Sequence, residues 1–181
     1  WFSFAPETPV WRDFSADFRA PGLYGISGPS GCGKSTLFDL LLGFYRPQRG
    51  AVSVCGVPLE DYSPDALRRT VGIVHQEPYF VSGTVLENIR FFGEAVTEEE
   101  IGACARAYGL EAQWERLAAL GEVPLGRDEP RRTTGQRRII SLLRVLVRRP
   151  RVLLCDEVTA GLDSHTEALV LEAVGRYAWT R

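Results

Sequence analysis

The run Gly28-Pro29-Ser30-Gly31-Cys32-Gly33-Lys34-Ser35-Thr36 satisfies G-x-x-x-x-G-K-[ST] and stands between a short apolar stretch and one with helical periodicity. That pattern leaves few folds open, because a strand must deliver the loop and a helix must leave it. Glycine at 28, 31 and 33 lets the backbone curl until successive N–H groups point inward at a triphosphate, and the following helix aims its positive end at the same place. Lys34 then reaches the β- and γ-phosphates, and Ser35 offers its hydroxyl to Mg²⁺. Thr36 continues into the apolar positions Leu37, Phe38, Leu40 and Leu41 of the first helix. Lys34 is also the only lysine in the chain, where every other basic residue is arginine.

At 181 residues and 45% hydrophobic, the chain can bury one substantial core, and no proline- or serine-rich linker divides it, so one domain over 1–181 is expected. A net charge of -2 supplies no global basic field, and nucleic acid is not expected as a partner. No apolar run approaches the length of a membrane-spanning helix. Cys32, Cys55, Cys104 and Cys155 are widely spaced without C-x-x-C pairing, which predicts buried or semi-buried free thiols in a reducing compartment. The chain starts with Trp1 and contains no methionine, as expected of a piece of a longer polypeptide.

Imperfect alternation from Phe2 to Phe18, broken at Pro6 and Pro9, predicts antiparallel strands, and residues 23–26 predict the strand that feeds the loop. Gly43 ends the first helix, 51–54 return as a strand, and Ser63-Pro64 start a helix leading to a strand over 71–75. Acidic Glu98-Glu99-Glu100 opens a helical region over 97–120, and 121–132 is loop. Ile139, Ile140, Leu142, Leu143, Leu146 and Val147 form the buried face of a helix that Pro150 follows. Residues 152–155 form a fully apolar strand, and Ser164 to Glu167 have capping-box spacing for a last helix.

That apolar strand ends in Asp156-Glu157, which supplies what a phosphate loop lacks: Asp156 to hold Mg²⁺ and Glu157 to orient and polarise attacking water. With Gln76 after Val71-Gly72-Ile73-Val74-His75, with Arg132-Thr133-Thr134-Gly135-Gln136 in the place of L-S-G-G-Q, and with Ala160-Gly161-Leu162-Asp163, the chain resembles the ATP-binding cassette family over essentially its whole length and in the family's motif order. Residues 81–89 resemble the exporter-type cassettes.

The resemblance implies an α/β P-loop core with an antiparallel β subdomain and a helical subdomain inserted at about 84–142. It implies that Gly28, Pro29, Ser30, Gly31, Cys32, Gly33, Lys34, Ser35 and Thr36 bind ATP. Thr133, Thr134, Gly135 and Gln136 would contact ATP held by a second cassette, Ser35, Gln76 and Asp156 would serve Mg²⁺, and Gln76 and Glu157 would be catalytic. The implied function is ATP hydrolysis driving an exporter, with transmembrane domains and a second, different cassette as partners, at the cytoplasmic face of the membrane. A regulatory cassette with little turnover and a soluble non-transport cassette protein are the alternatives.

Departures from the family pattern sharpen this. Arg132 replaces the apolar first position of the signature, and Thr134 puts a β-branched side chain where close backbone approach favours glycine. Arg127 reverses the charge exporters usually carry just before the signature. The adenine-stacking tyrosine is replaced by Ala5 or Pro6, with Phe4 and Trp11 as substitutes whose ordinary role would be core packing. Neither His75 nor His165 stands where the family's switch histidine does. The arginines at 131, 132, 137, 138, 144, 148, 149 and 151 lack interleaved aromatics and are expected to form a solvated or interface face.

Overall fold

The structure, a computed structural model, describes residues 1–5, 8–91, 96–121, 125 and 133–180. Strands β1 (Phe2–Ala5) and β2 (Thr8–Trp11) pair antiparallel, with Phe2 opposite Trp11 and Ala5 opposite Thr8. Gln48 ties this hairpin down by imitating a third strand: Ser3 N–H donates to its Oε1 at 3.0 Å, and its Nε2 donates to the Ser3 carbonyl at 2.8 Å. Helix α1 (Lys34–Leu41) closes at Leu42, and Gly43 turns the chain away at φ 75°, as the sequence predicts. A minimal hairpin follows from β3 (Ser53–Val54) and β4 (Val57–Pro58), its two turn residues Cys55 and Gly56 both at positive φ, as a type I′ turn demands.

Helix α2 (Pro64–Thr70) starts as predicted: Pro64 takes the first position, and Ser63 Oγ accepts from Ala66 N–H at 3.2 Å. It leads into β5 (Val71–Val74). Helices α3 (Val85–Ile89), α4 (Glu98–Ala107), α5 (Glu111–Ala118) and α6 (Thr134–Leu146) come next, before β6 (Val152–Cys155) and α7 (Ser164–Trp179). Threonine capping boxes open three of these helices, Thr84 with Glu87, Thr97 with Glu100, and Thr133 with Gln136.

β5 and β6 run parallel in four registered pairs from Val71–Val152 to Val74–Cys155. One core cluster joins Val74 to Ile89, Ile101, Leu110, Leu117, Ile140 and Leu143, and extends to Val170 and Tyr177 of α7. A second holds Val54, Leu67, Val71 and Leu154 against Phe38 and Leu41 of α1. The first helix thereby joins the cluster to which β5 and β6 contribute Val71 and Leu154.

Four expectations need correction. Residues 23–26 form no strand: Leu23 is 58% exposed and Tyr24 50%. An apolar run has strand tendency, but a strand exists only where a neighbour accepts its ladder, and none does among the described residues. The Tyr24 hydroxyl instead closes a local loop, donating to the Arg19 carbonyl at 2.7 Å and accepting from its N–H at 3.1 Å. The N-terminal alternation likewise stops at Trp11, where Asp13 turns at φ 47° and Phe14 and Phe18 are exposed.

The last helix is capped one residue earlier than its spacing suggests. Asp163 Oδ1 accepts from Thr166 N–H at 3.0 Å and Oδ2 from the Thr166 hydroxyl at 2.7 Å, so a carboxylate takes the place of the Ser164 hydroxyl. These bonds hold the Asp163 carboxyl below its ordinary range.

The arginine run, finally, is not one solvated face. Arg138 and Arg144 are buried at 2% and 7% exposure. Arg144 donates to the Asn88 carbonyl at 2.7 Å, the Asn88 side-chain oxygen at 3.2 Å and the Tyr79 carbonyl at 2.7 Å, and lies 4.9 Å from the Phe80 ring centre. Burial pushes its pKa down to about 10, which leaves it charged at neutral pH. Arg127, Arg131, Arg132 and Pro6 lie outside the described residues.

Candidate nucleotide site

The phosphate loop is shaped by sterics that can be read atom by atom. Gly33 sits at φ 96°, and a Cβ there would stand 2.7 Å from Val10 Cγ1 and 3.0 Å from the Trp11 ring, so β2 seals the back of the loop. Gly28 is equally closed, with Cys32 Sγ 2.7 Å from where its Cβ would be. Cys32 N–H donates to the Pro29 carbonyl at 3.3 Å, tightening the turn, and Leu37 N–H donates to the Gly33 carbonyl at 3.0 Å, starting α1. Trp11, expected in ordinary core packing, is therefore a wall of the loop.

Helix α1 begins with no side-chain cap and no acidic residue in its first turn. Its leading N–H groups and its positive dipole end are left for an anion. Lys34 Nζ folds back over the loop, donating to the carbonyls of Gly28 at 2.8 Å and Pro29 at 3.0 Å, with Cys32 Sγ at 3.8 Å. Ser35 is exposed and Thr36 buried, so the two hydroxyls face different surroundings. A triphosphate fits this donor set: bare helix N–H groups, an ammonium with three protons, and an accessible hydroxyl.

The second half of the site is made by the β5–β6 ladder. Asp156 N–H donates to the Val74 carbonyl at 2.9 Å, extending the parallel pairing one step beyond Cys155. Two acids therefore leave the strand edge at the level where His75 and Gln76 leave the neighbouring strand. Asp156 is half-buried and Glu157 exposed. Glu157 holds φ at 42°, a region that non-glycine residues seldom occupy and that is common at functional turns. Its carbonyl accepts from Ala160 N–H at 2.9 Å, opening the turn that runs to the Asp163 cap.

Gln76 is exposed and lines a cavity of about 380 Å³ together with Glu77, Pro78, Tyr79, Phe80, Thr134, Arg137 and Arg138. The start of α6 and the segment after β5 thus share one cavity. At that start, Thr133 Oγ1 accepts from Gln136 N–H at 3.2 Å and Gln136 Oε1 accepts from Thr133 N–H at 3.2 Å. Both side chains are engaged in beginning the helix. A Cβ at Gly135 would come 3.1 Å from Thr166 Cγ2, so the starts of α6 and α7 lie against each other.

Among the described residues, no hydrogen bond or ion pair joins 28–36 to Gln76, Asp156 or Glu157; the two halves share the core cluster of Val54, Leu67, Val71 and Leu154. Nor is any group of three or more His, Cys, Asp or Glu among the described residues arranged to hold a metal. A divalent ion bound by Ser35 and Asp156 would have to complete its shell with phosphate oxygens and water, which is how Mg²⁺ ordinarily binds at such sites. Arg138 and Arg144 were the structural residues not expected from sequence; the available signal was a pair of arginines on a helix whose other positions from 139 to 146 are almost all apolar.

The model of the ABC transporter family matches residues 11–160, well over half of the chain. The chain belongs to the ABC transporter family. This cassette is 33% identical over 173 residues to the mitochondrial iron-sulfur clusters transporter atm1 of Neurospora crassa, covering 96% of the cassette and 24% of that protein. It is 34% identical over 173 residues to the multidrug resistance protein pgp-1 of Caenorhabditis elegans, covering 96% of the cassette and 13% of that protein. The cassette thus spans about a quarter or less of these relatives. Among solved structures, a bacterial Atm1-family ABC exporter with ATP bound superposes with a TM-score of 0.86 at 28% identity, over 98% of the cassette and 31% of that chain. The fold is the α/β P-loop fold of ABC ATPases, and membership of the family implies nucleotide binding. Among the described residues, no helix of the cassette is long and apolar enough to cross a membrane.

Proposed function

We propose that this chain is the MgATP-hydrolysing motor of an exporter-type membrane transporter, working at the cytoplasmic face against transmembrane domains and a second, different cassette. In this reading the residues from Gly28 to Thr36 bind the phosphates through backbone N–H groups, with Lys34 turning its ammonium from the Gly28 and Pro29 carbonyls to the β- and γ-oxygens. Ser35, Asp156 and Gln76 would hold Mg²⁺, which would supply charge neutralisation for the phosphates. Glu157 orients the attacking water and accepts its proton, and Gln76 fixes the water's position. Thr133, Thr134, Gly135 and Gln136 face the nucleotide of the second cassette, and residues 84–142 act as the helical unit that carries them.

The observation that supports this reading most is the β5–β6 ladder, which brings Gln76, Asp156 and Glu157 to one end of a strand pair whose Val71 and Leu154 share a core cluster with the uncapped phosphate-loop helix. The test uses the single lysine. Amine acylation followed by mass spectrometry has only the N-terminal amine as a competitor, and MgATP is expected to protect Lys34 severalfold. Equal labelling of Lys34 with and without MgATP would remove the assignment.

A further inference from the structure

We propose that Arg138 is a positioning residue for Gln76, setting the orientation of the glutamine that serves the reacting centre from its place on the helix that begins with Thr134 and Gly135. The proposal rests on the reading of Gln76 given above.

Arg138 lies one turn after Thr134 on α6 and is 2% exposed. Its Nη1 donates to the His75 carbonyl at 2.6 Å, a charge-assisted bond spanning 63 residues of sequence. The peptide unit is planar, so fixing the carbonyl oxygen of residue 75 also fixes the N–H of residue 76 and the direction in which Cα76 leaves. β5 has ended at Val74, and Asp156 N–H already holds the Val74 carbonyl, so the His75–Gln76 peptide is the first one past the ladder. The guanidinium supplies the anchor that the sheet no longer does.

Packing alone does not explain this side chain. Its neighbours Ile139, Ile140 and Leu142 are buried and apolar, and the Arg138 Nε is buried with no partner among the described residues, an arrangement that carries a desolvation cost. A methionine would fill similar volume without that cost, so the bond to His75 is the feature that arginine adds. The first turns of α6 and the end of β5 are thereby linked through one group, and the same group lines the cavity that holds Gln76 and Thr134.

The test is a double-mutant cycle in the assembled transporter, reading kcat for ATP and the Kd for MgATP in Arg138→Met, Gln76→Ala and the double variant. Arg138→Met should lower kcat on the order of tenfold or more while leaving the MgATP Kd within about twofold, because the phosphate loop is untouched. The double variant should be no slower than Gln76→Ala alone, since a residue that acts only through Gln76 has nothing further to lose. Arg138→Lys, which keeps a donor and the buried charge, should recover part of kcat, and it carries the same cycle if Arg138→Met does not fold. Multiplying effects in the double variant, an unchanged kcat in Arg138→Met, or a Gln76→Ala variant as fast as the parent would each overturn the proposal. Glu157→Gln run alongside separates the two levels: full turnover in that variant defeats the ATPase reading itself, whereas lost turnover with a multiplicative cycle defeats only the role of Arg138.

Discussion

Two of the four cysteines are built into the interior, and their thiols behave accordingly. Burial pushes Cys104 up to about 11 and Cys155 up to about 12, the nearby Arg149 and Arg138 offsetting only part of the effect. Both stay neutral at physiological pH, and neither is a ready nucleophile. The exposed Cys55 is expected to react with iodoacetamide at pH 8 while Cys104 and Cys155 stay unmodified in the folded chain, a difference that peptide mass spectrometry resolves. The sign for stability follows from the same shifts. An unfolded thiol ionises near pH 8.5 and these folded ones do not, so their contribution is complete below about pH 8.5 and is lost as pH rises towards 11 and 12. Urea midpoints at pH 7 and pH 10 should therefore differ less in Cys155→Ala than in the parent; an equal loss in both would refute the buried-thiol account.

At the scale of elements, the close approach of α6 to β5 depends on a missing side chain. A Cβ on Gly72 of β5 would lie 2.5 Å from Val145 Cγ1 of α6 and 2.8 Å from Pro150 Cγ. Gly72→Ala should cost about 1–3 kcal/mol as the helix is pushed off the strand. Gly25→Ala, where nothing lies within 4 Å, should change stability by no more than about 0.5 kcal/mol. Thermal unfolding of the two variants compares them directly, and equal melting temperatures would mean that the contact at Gly72 yields freely.

What the sequence made legible at this scale was local chemistry. Ser63-Pro64 announced a helix start, Gly43 a helix end, and the apolar residues 152–155 a buried strand, because each signal and its consequence lie within a few residues. The phosphate loop and the acids after β6 were legible for the same reason. The stretch 23–26 was not, since periodicity describes a strand's faces and says nothing of whether a neighbour will pair with it. Arg138 and Arg144 were misread because the carbonyls that satisfy them come from residues 63 and 56 positions away, and a charge in a sequence does not display such partners.

For the whole molecule, the proposed pairing of unequal cassettes makes a claim about asymmetry. In that reading this chain would bring its phosphate loop, Gln76, Asp156 and Glu157 to one site, and offer the other a signature in which Thr133 and Gln136 are engaged with each other and Thr134 replaces glycine. In the assembled transporter, Thr133→Ser with Thr134→Gly should speed hydrolysis mainly at the partner's site, because on this proposal the signature acts across the interface. Single-turnover measurements with each site disabled in turn would resolve the two. Fast, cooperative hydrolysis by this cassette paired only with itself, unchanged by those substitutions, would contradict the asymmetry.

The central claim, that Glu157 at the end of β6 activates water against a phosphate held on α1, is tested most directly by Glu157→Gln. The substitution keeps the side chain's size and removes its capacity as a base. Steady-state ATP turnover in the assembled transporter should fall on the order of 10²-fold to 10⁴-fold with MgATP affinity retained; turnover equal to the parent's would contradict the account.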